Sequence, residues 1–428
     1  MPNAIHTLSA AADLDRLDPL ARFRQKFALP MQADGQSTAI YLCGNSLGPM
    51  PHAVRDVMNR TLDDWATLGV RGHESGTRPW IPYADDLAPS LAKLVGADAR
   101  DVVLMNSLTV NLHLMMASFY QPTATRHALL IERSAFPSDL YAVESQIKFH
   151  GYDPTNAIIY AEPRAGEDLL RTEDILELIA KHAHRLALVL LPGVQYRTGQ
   201  VMDMPRITAA GRRAGACVGW DLAHAIGNVP VKLAEWDADF AVWCSYKYLC
   251  GGPGAIAGAY VNARHRDAVD LPRLAGWWGN HLTSRFQMQP TFEPISGAGG
   301  WQLSNPPILS TAPLVVALAL FLEAGVDAAR LKSVALTDYA QSGIQALLSQ
   351  HLVSITPANP TERGCQLSVR VLGSVERARA IFTEMGRRGV IGDWRDPDVI
   401  RIAPHPLYNS FTDVARFLNI MQDITAVM

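Results

Sequence analysis

Residues 237–260 read DADFAVWCSYKYLCGGPGAIAGAY and place one lysine, Lys247, between an apolar run and a glycine-rich turn. The run Phe240 to Trp243 reads as a buried strand, and Gly251, Gly252, Pro253 and Gly254 read as a tight turn. A lysine held at such a junction loses hydration, which lowers its pKa and frees the amine to act as nucleophile or base. A lysine on a plain surface loop is the competing reading, and this stretch alone does not separate the two.

A second stretch does. Residues 219–227, GWDLAHAIG, follow a helix-like segment around Ile207 to Cys217 and put Asp221 and His224 at the end of a short strand. Pyridoxal phosphate enzymes use such a pair: the lysine forms a Schiff base with the cofactor, and the acid keeps the pyridine nitrogen protonated so that the ring accepts electrons from a substrate carbanion. The motifs DLAHAIGN (221–228) and WCSYKYL (243–249) resemble those of the kynureninases, aminotransferase class V-like enzymes of fold type I. The resemblance implies an α/β fold with pyridoxal 5'-phosphate as cofactor, a large domain built on a mainly parallel seven-stranded sheet, and a smaller α/β domain. It also implies a homodimer with composite active sites.

Composition bounds the class. The 428 residues are 48% hydrophobic, enough for a large core and one or two domains. A formal net charge of -3 argues against a general affinity for nucleic acid, and the one short basic cluster, Arg212 and Arg213, reads as a solvated helix face. Cys43, Cys217, Cys244, Cys250 and Cys365 show no Cys-x-x-Cys spacing, so neither a disulfide framework nor a zinc site is suggested, and a cytoplasmic location fits. His182 and His184 are badly spaced for one helical face, and no metal is expected. Residues 1–22 lack the apolar core of a signal peptide. The longest apolar run, Ala312 to Leu322, is too short to span a membrane and reads as a buried helix with a proline near its first turn. The partner expected is a small-molecule substrate, with neither nucleic acid nor membrane.

Strands near 102, 128, 155, 186, 216 and 240, with helical segments between several of them, form the alternating pattern of a mainly parallel sheet covered on both faces. Such sheets bind ligands beyond their strand C-termini. Helical patterns cover 14–27 and Val54 to Leu68. Later, strands near Val353, Leu367 and Val399 alternate with helices near Ala335 to Leu348 and Val375 to Arg388. The domains expected are an N-terminal segment 1–60 joining the small domain, a cofactor-binding domain over 61–310 and the small domain over 311–428.

Several junctions are candidate contacts. The strand Val102 to Met105 runs through Asn106, Ser107, Leu108 and Thr109 into the helix Val110 to Tyr120. Free backbone N–H groups, the helix dipole and the Thr109 hydroxyl favour a dianion there, although capping by Ser107 or Thr109 needs no ligand. Phe136, Pro137, Ser138 and Asp139 follow the strand Ala128 to Glu132 and offer a ring for stacking and polar tips. The resemblance makes Leu108 and Thr109 phosphate contacts and lays residues 136–139 over the cofactor, with Phe136 stacking. His224 is a candidate cofactor contact, and Tyr246, beside the lysine, is a candidate phosphate contact and proton relay. The turn GNSLG at 44–48 is a plain chain reversal or a substrate loop, and the resemblance gives Ser46 a substrate contact. His73, in the polar loop 72–80, is by resemblance turned toward the substrate's aromatic ring. Trp277 and Asn305 correspond to residues that reach the cofactor and substrate of the neighbouring subunit. Arg401, inside an alternating strand, needs a partner or a ligand. A structural salt bridge meets that need, as does the family's clamp on an α-carboxylate.

Two competing motifs are weaker. Residues 252–257 match G-x-G-x-x-A, but a helix must begin within that fingerprint and Ala255 to Val261 reads as a strand. Cys365 invites comparison with cysteine desulfurases, which use a loop cysteine, yet it begins a strand where core packing is expected. The resemblance therefore implies hydrolytic Cβ–Cγ cleavage of L-kynurenine, and of 3-hydroxykynurenine, to anthranilate or 3-hydroxyanthranilate and L-alanine. Lys247, Asp221 and Tyr246 are then catalytic, and the reaction belongs to tryptophan catabolism and the kynurenine route toward NAD biosynthesis. A cysteine desulfurase or aminotransferase on the same fold is the alternative. A cofactor-binding protein without chemistry is disfavoured by the joint presence of Lys247, Asp221 and Arg401.

Overall fold

A computed structural model describes residues 5–32 and 34–428. Seven short apolar runs form one sheet: β1 Val102–Leu104, β2 Ala128–Glu132, β3 Ile158–Ala161, β4 Leu186–Pro192, β5 Cys217–Asp221, β6 Phe240–Trp243 and β7 Gly258–Val261. Their order is β1-β7-β6-β5-β4-β2-β3; β2 to β6 run parallel, and β7 is antiparallel to both its neighbours. Successive side chains alternate between two cores: Leu130, Val189, Val218 and Ala241 pack on one face, and Leu129, Leu188, Leu190 and Val242 on the other. This topology brings the C-terminal ends of β2, β4, β5 and β6 to one rim. Helix α1 (Leu108–Phe119) follows β1, and α2 (Pro137–Phe149) follows β2, so both begin at that rim.

A second sheet contains β8 Leu352–Ser354, β9 Leu367–Val371, β10 Asp393–Arg395 and β11 Val399–Ile402, in the antiparallel order β8-β9-β11-β10. The N-terminal pair Ile40–Tyr41 runs parallel to Val390–Ile391, and Ala11, Ile40 and Leu42 share the core of this region. Among the described residues, no single helix is long and apolar enough to cross a membrane.

Several sequence expectations shift. The helical pattern at 14–27 resolves into a helix Leu8–Leu17 and a 3-10 turn Ala21–Lys26, because Asp18 is held extended before Pro19. The strand expected near 155 starts at Ile158, after a helical turn Pro154–Ala157 capped by the Asp153 side chain. The apolar helix runs Ile308–Ala324 with Pro313 inside it, beyond the first turn. All four residues of β11 are buried, so Arg401 lies in a fully buried strand rather than an alternating one. β10 has no counterpart among the expected strands.

The turn at 44–48 packs backbone to backbone against the lysine segment. Gly48 N donates to Tyr246 O at 2.8 Å, and a Cβ at Gly48 would fall 2.5 Å from the Lys247 carbonyl and 2.6 Å from Cys250 Sγ. Overpacking against backbone costs about 1–3 kcal/mol, so Gly48→Ala should lower the denaturation midpoint accordingly. An unchanged midpoint would show that this approach is not tight.

Candidate active site

Asp221 is the last residue of β5, and its Oδ1 accepts from Ala223 N at 2.7 Å, which turns the chain and sets His224 beneath the rim. β6 ends at Trp243 and carries the chain on to Lys247, half-buried, whose Nζ lies 3.0 Å from His224 Nε2. Leu108, Thr109, Phe136, Ser138 and Asp139 line one cavity with Asp221, His224, Tyr246 and Lys247, and Glu132 and Tyr196 join them. A larger open cleft, about 780 Å³, is lined by exposed ion pairs such as Arg171–Glu167 and lies apart from these residues.

Each junction supplies a different chemistry. Ser107 caps α1 without a side-chain bond to the helix, and Thr109 Oγ1 instead lies 2.7 Å from Ser138 Oγ, so the simple capping explanation fails. Phe136 provides no side-chain cap for α2 either. Two helix N-termini and two hydroxyls therefore converge, an arrangement that suits a phosphate dianion. The Phe136 ring meets Tyr196 edge to face at 5.3 Å and is 45% exposed, which leaves it available for stacking. Pro137 opens α2 and does not itself line the cavity.

Three buried carboxyl groups, Glu132, Asp139 and Asp221, form the floor. Burial, reinforced by the Asp221 charge, pushes Glu132 up to about 7 despite a hydrogen bond from Gln195 at 3.3 Å. Its Oε2 has no partner. Burial and then the Asp221 charge hold Asp139 well above the ordinary carboxylate range. Such a cluster calls for a cation, and a protonated pyridine nitrogen fits it. The hydroxyl pair, the carboxylate floor and the lysine together fit pyridoxal phosphate.

The tautomer of His224 follows from its neighbours. Gln366 Nε2 donates to Tyr196 O at 2.9 Å and to Ser368 Oγ at 3.1 Å, so its Oε1 is the atom that faces Tyr248 and Asn45. Tyr248 donates to that oxygen at 3.5 Å and, 3.2 Å from His224 Nδ1, accepts the Nδ1 hydrogen. His224 Nε2 is then bare and accepts from Lys247. Burial first, then the positive charges of Lys247, Arg401 and Arg395, keep this imidazole neutral by lowering its pKa far below the ordinary value.

Arg401 is 1% exposed; it donates to the Tyr196 carbonyl and pairs with Asp393. The structural salt bridge therefore exists, and Tyr196 joins it to the cavity. Burial lowers the Arg401 pKa to about 10, still fully charged at neutral pH. Besides Pro137 and Arg401, four more expected contacts do not line the cavity of their own chain. Ser46 and Asn305 are exposed, His73 is half-buried edge-on to Trp80 at 5.3 Å, and Trp277 packs on Trp278 and Phe286. The sequence reading missed Glu132, Tyr196, Tyr248, Gln366, Asp393 and Arg395. Only Glu132 had a local signal, a charge closing an apolar run.

Glu132 generates a pH test in the ligand-free protein. Below pH 4.5 its carboxyl is neutral both folded and unfolded; between 4.5 and about 7 only the unfolded chain ionises, so stability falls as pH rises and then levels off. The full loss is roughly 3 kcal/mol. Glu132→Gln removes this dependence, so its stability relative to the parent should grow across that window in denaturant titrations. A constant difference from pH 4 to pH 8 would contradict the burial argument.

Comparison with known proteins gives the chain its family and its fold. A family model described as the kynureninase C-terminal domain matches residues 329–421. The kynureninase of Xanthomonas euvesicatoria pv. vesicatoria is 52% identical over 408 residues, covering 95% of this chain and 96% of that protein. The kynureninase of Koribacter versatilis is 50% identical over 412 residues, covering 96% of each. Among solved structures, a mutant of C-DES with glycine covalently linked to its PLP cofactor superposes with a TM-score of 0.76 at 17% identity, covering 94% of this chain and 99% of that one. The cysteine desulfurase CsdA of Escherichia coli gives 0.75 at 18%, covering 95% and 98%. At that identity these two show the fold, that of the PLP-dependent class V enzymes. With half its residues shared with named relatives along nearly its whole length, the chain belongs to the kynureninase family.

Proposed function

We propose that this chain hydrolyses L-kynurenine between Cβ and Cγ, releasing anthranilate and L-alanine. The observation that carries the proposal is a lysine hydrogen-bonded to a buried neutral histidine and facing a buried carboxylate floor, in a chain half-identical to kynureninases. Bound pyridoxal phosphate supplies the carbonyl that the lysine holds and the electron sink for a carbanion at the substrate Cα.

In this reading the protein's own groups divide the work. Asp221 holds a proton at the pyridine nitrogen, with Asp139 beside it. Leu108 and Thr109 at the start of α1, together with Ser138 and Tyr246, bind the phosphate. Phe136 packs on the ring, and Pro137 fixes the first turn of α2 beneath it. Lys247 Nζ, once displaced by substrate, takes the Cα proton, and His224 Nε2 accepts a hydrogen bond that keeps that amine aimed. Tyr246 relays a proton as a phenol, since burial raises its pKa well above neutrality. Arg401 clamps the α-carboxylate.

We also read the assembly as a homodimer. Trp65, Phe286 and Trp277 are exposed apolar side chains, and such surface favours a protein partner. In that dimer Trp277 and Asn305 reach the neighbouring cofactor, while Ser46, His73 and Asn305 contact substrate and grade acceptance of 3-hydroxykynurenine. The domain reading is a segment 1–60 joined to a small domain over 311–428, with the cofactor domain over 61–310; pairing of Ile40–Tyr41 with Val390–Ile391 favours it. A cytoplasmic place in tryptophan catabolism, on a route toward NAD biosynthesis, completes the proposal. The cysteine desulfurase reading is disfavoured by Cys365, 1% exposed and with its thiol pushed up to about 12 by burial, so that it offers no thiolate.

Product analysis tests the proposal. L-kynurenine should give fluorescent anthranilate and L-alanine in equal amounts, and Asp221→Asn should slow this by about 100–1000-fold. Arg401→Lys keeps charge but loses the two-donor fork, so KM should rise. Sulfide from cysteine, or a keto acid, with no anthranilate would overturn the assignment.

A further inference from the structure

Arg401 is not alone at the end of the site where Tyr196 meets the second sheet. Asp393 Oδ2 pairs with Nη2 of Arg401 and also, at 2.9 Å, with Nη2 of Arg395. Two guanidinium groups thus share one carboxylate oxygen, and one positive charge is left uncompensated. Each arginine also has a buried Nε–H without an acceptor. A buried donor or charge without a partner is costly, so this pairing is incomplete as it stands. The two Cζ atoms lie 5.6 Å and 5.9 Å from the Tyr196 ring centre, and Tyr196 lines the cavity with Lys247. The strand register explains the meeting: Asp393 pairs across from Arg401, and Arg395, two residues on, points to the same face of β10.

We propose that Arg395 is a second guanidinium of the substrate α-carboxylate subsite, and that Asp393 holds the two cations side by side until that carboxylate enters. The inference rests on the reading of Arg401 given above. One entering carboxylate neutralises the excess charge and gives the free N–H donors an acceptor. The subsite is therefore matched to a single carboxylate, and a ligand without one leaves it as incomplete as before.

The test uses the cofactor-loaded enzyme, with binding followed by cofactor absorbance. Parent, Arg395→Gln and Arg401→Gln are titrated with L-alanine and with the decarboxylated amine of kynurenine. The quantity read is the ratio of the two affinities, which partial unfolding does not change. In Arg395→Gln the preference for L-alanine should fall by at least about tenfold, as loss of a charge-assisted hydrogen bond predicts, and KM for kynurenine should rise more than kcat falls. Arg395→Lys should recover part of the preference, because it keeps the charge. A preference unchanged in Arg395→Gln but lost in Arg401→Gln makes Arg395 a mere partner of Asp393 and overturns this inference while leaving the function intact. A preference unchanged in both overturns the Arg401 reading as well.

Discussion

The hydrogen bond between Lys247 Nζ and His224 Nε2 is the contact on which the rest of the site depends. It exists because β5 and β6 are parallel neighbours, so Asp221, His224 and Lys247 leave the sheet on the same rim. It is aimed from outside that sheet. Gln366, just before β9, orients Tyr248, and Tyr248 fixes the imidazole tautomer. From another direction the Gly48 backbone presses against the lysine's own carbonyl. Lys247 is thus held by the large sheet, the small sheet and the N-terminal turn at once, three parts of the chain distant in sequence.

Charge is separated across this cavity. Glu132, Asp139 and Asp221 make its floor acidic, and Arg395 and Arg401, beside the lining residue Tyr196, put positive charge near the neutral His224. In a poorly solvated site neither group is satisfied by water. That strain appears as a carboxyl raised to about 7 in one and a guanidinium lowered to about 10 in the other. In the proposed function, a cationic ring nitrogen from the cofactor answers the acidic group and an anionic carboxylate from the substrate the basic one.

Much of this was legible in the sequence because the chemistry sits at strand-to-turn junctions. Lys247 after an apolar run, Asp221 at a strand end, and Thr109 and Ser138 at the starts of helices each carry a local signature. The alternation of strands and helices then places those junctions on one rim. What stayed hidden depends on pairings that no local window contains. Asp393 and Arg395 matter only because a short strand pairs in register with Arg401. Gln366 matters only because it meets Tyr196 and Tyr248, both distant in sequence, and Glu132 only because the Asp221 charge acts on it. Ser46, His73, Trp277 and Asn305 do not line their own chain's cavity, and the geometry of one chain gives them no contact there.

The most direct measurement is to reduce the cofactor-loaded protein with borohydride and map the labelled peptide. The geometry around Lys247, with its amine held by His224 in the cavity lined by Thr109, Ser138 and Asp221, predicts a single modified peptide carrying the cofactor on that residue. Cofactor fixed to a different lysine, or a protein that retains none, would contradict the account at its centre.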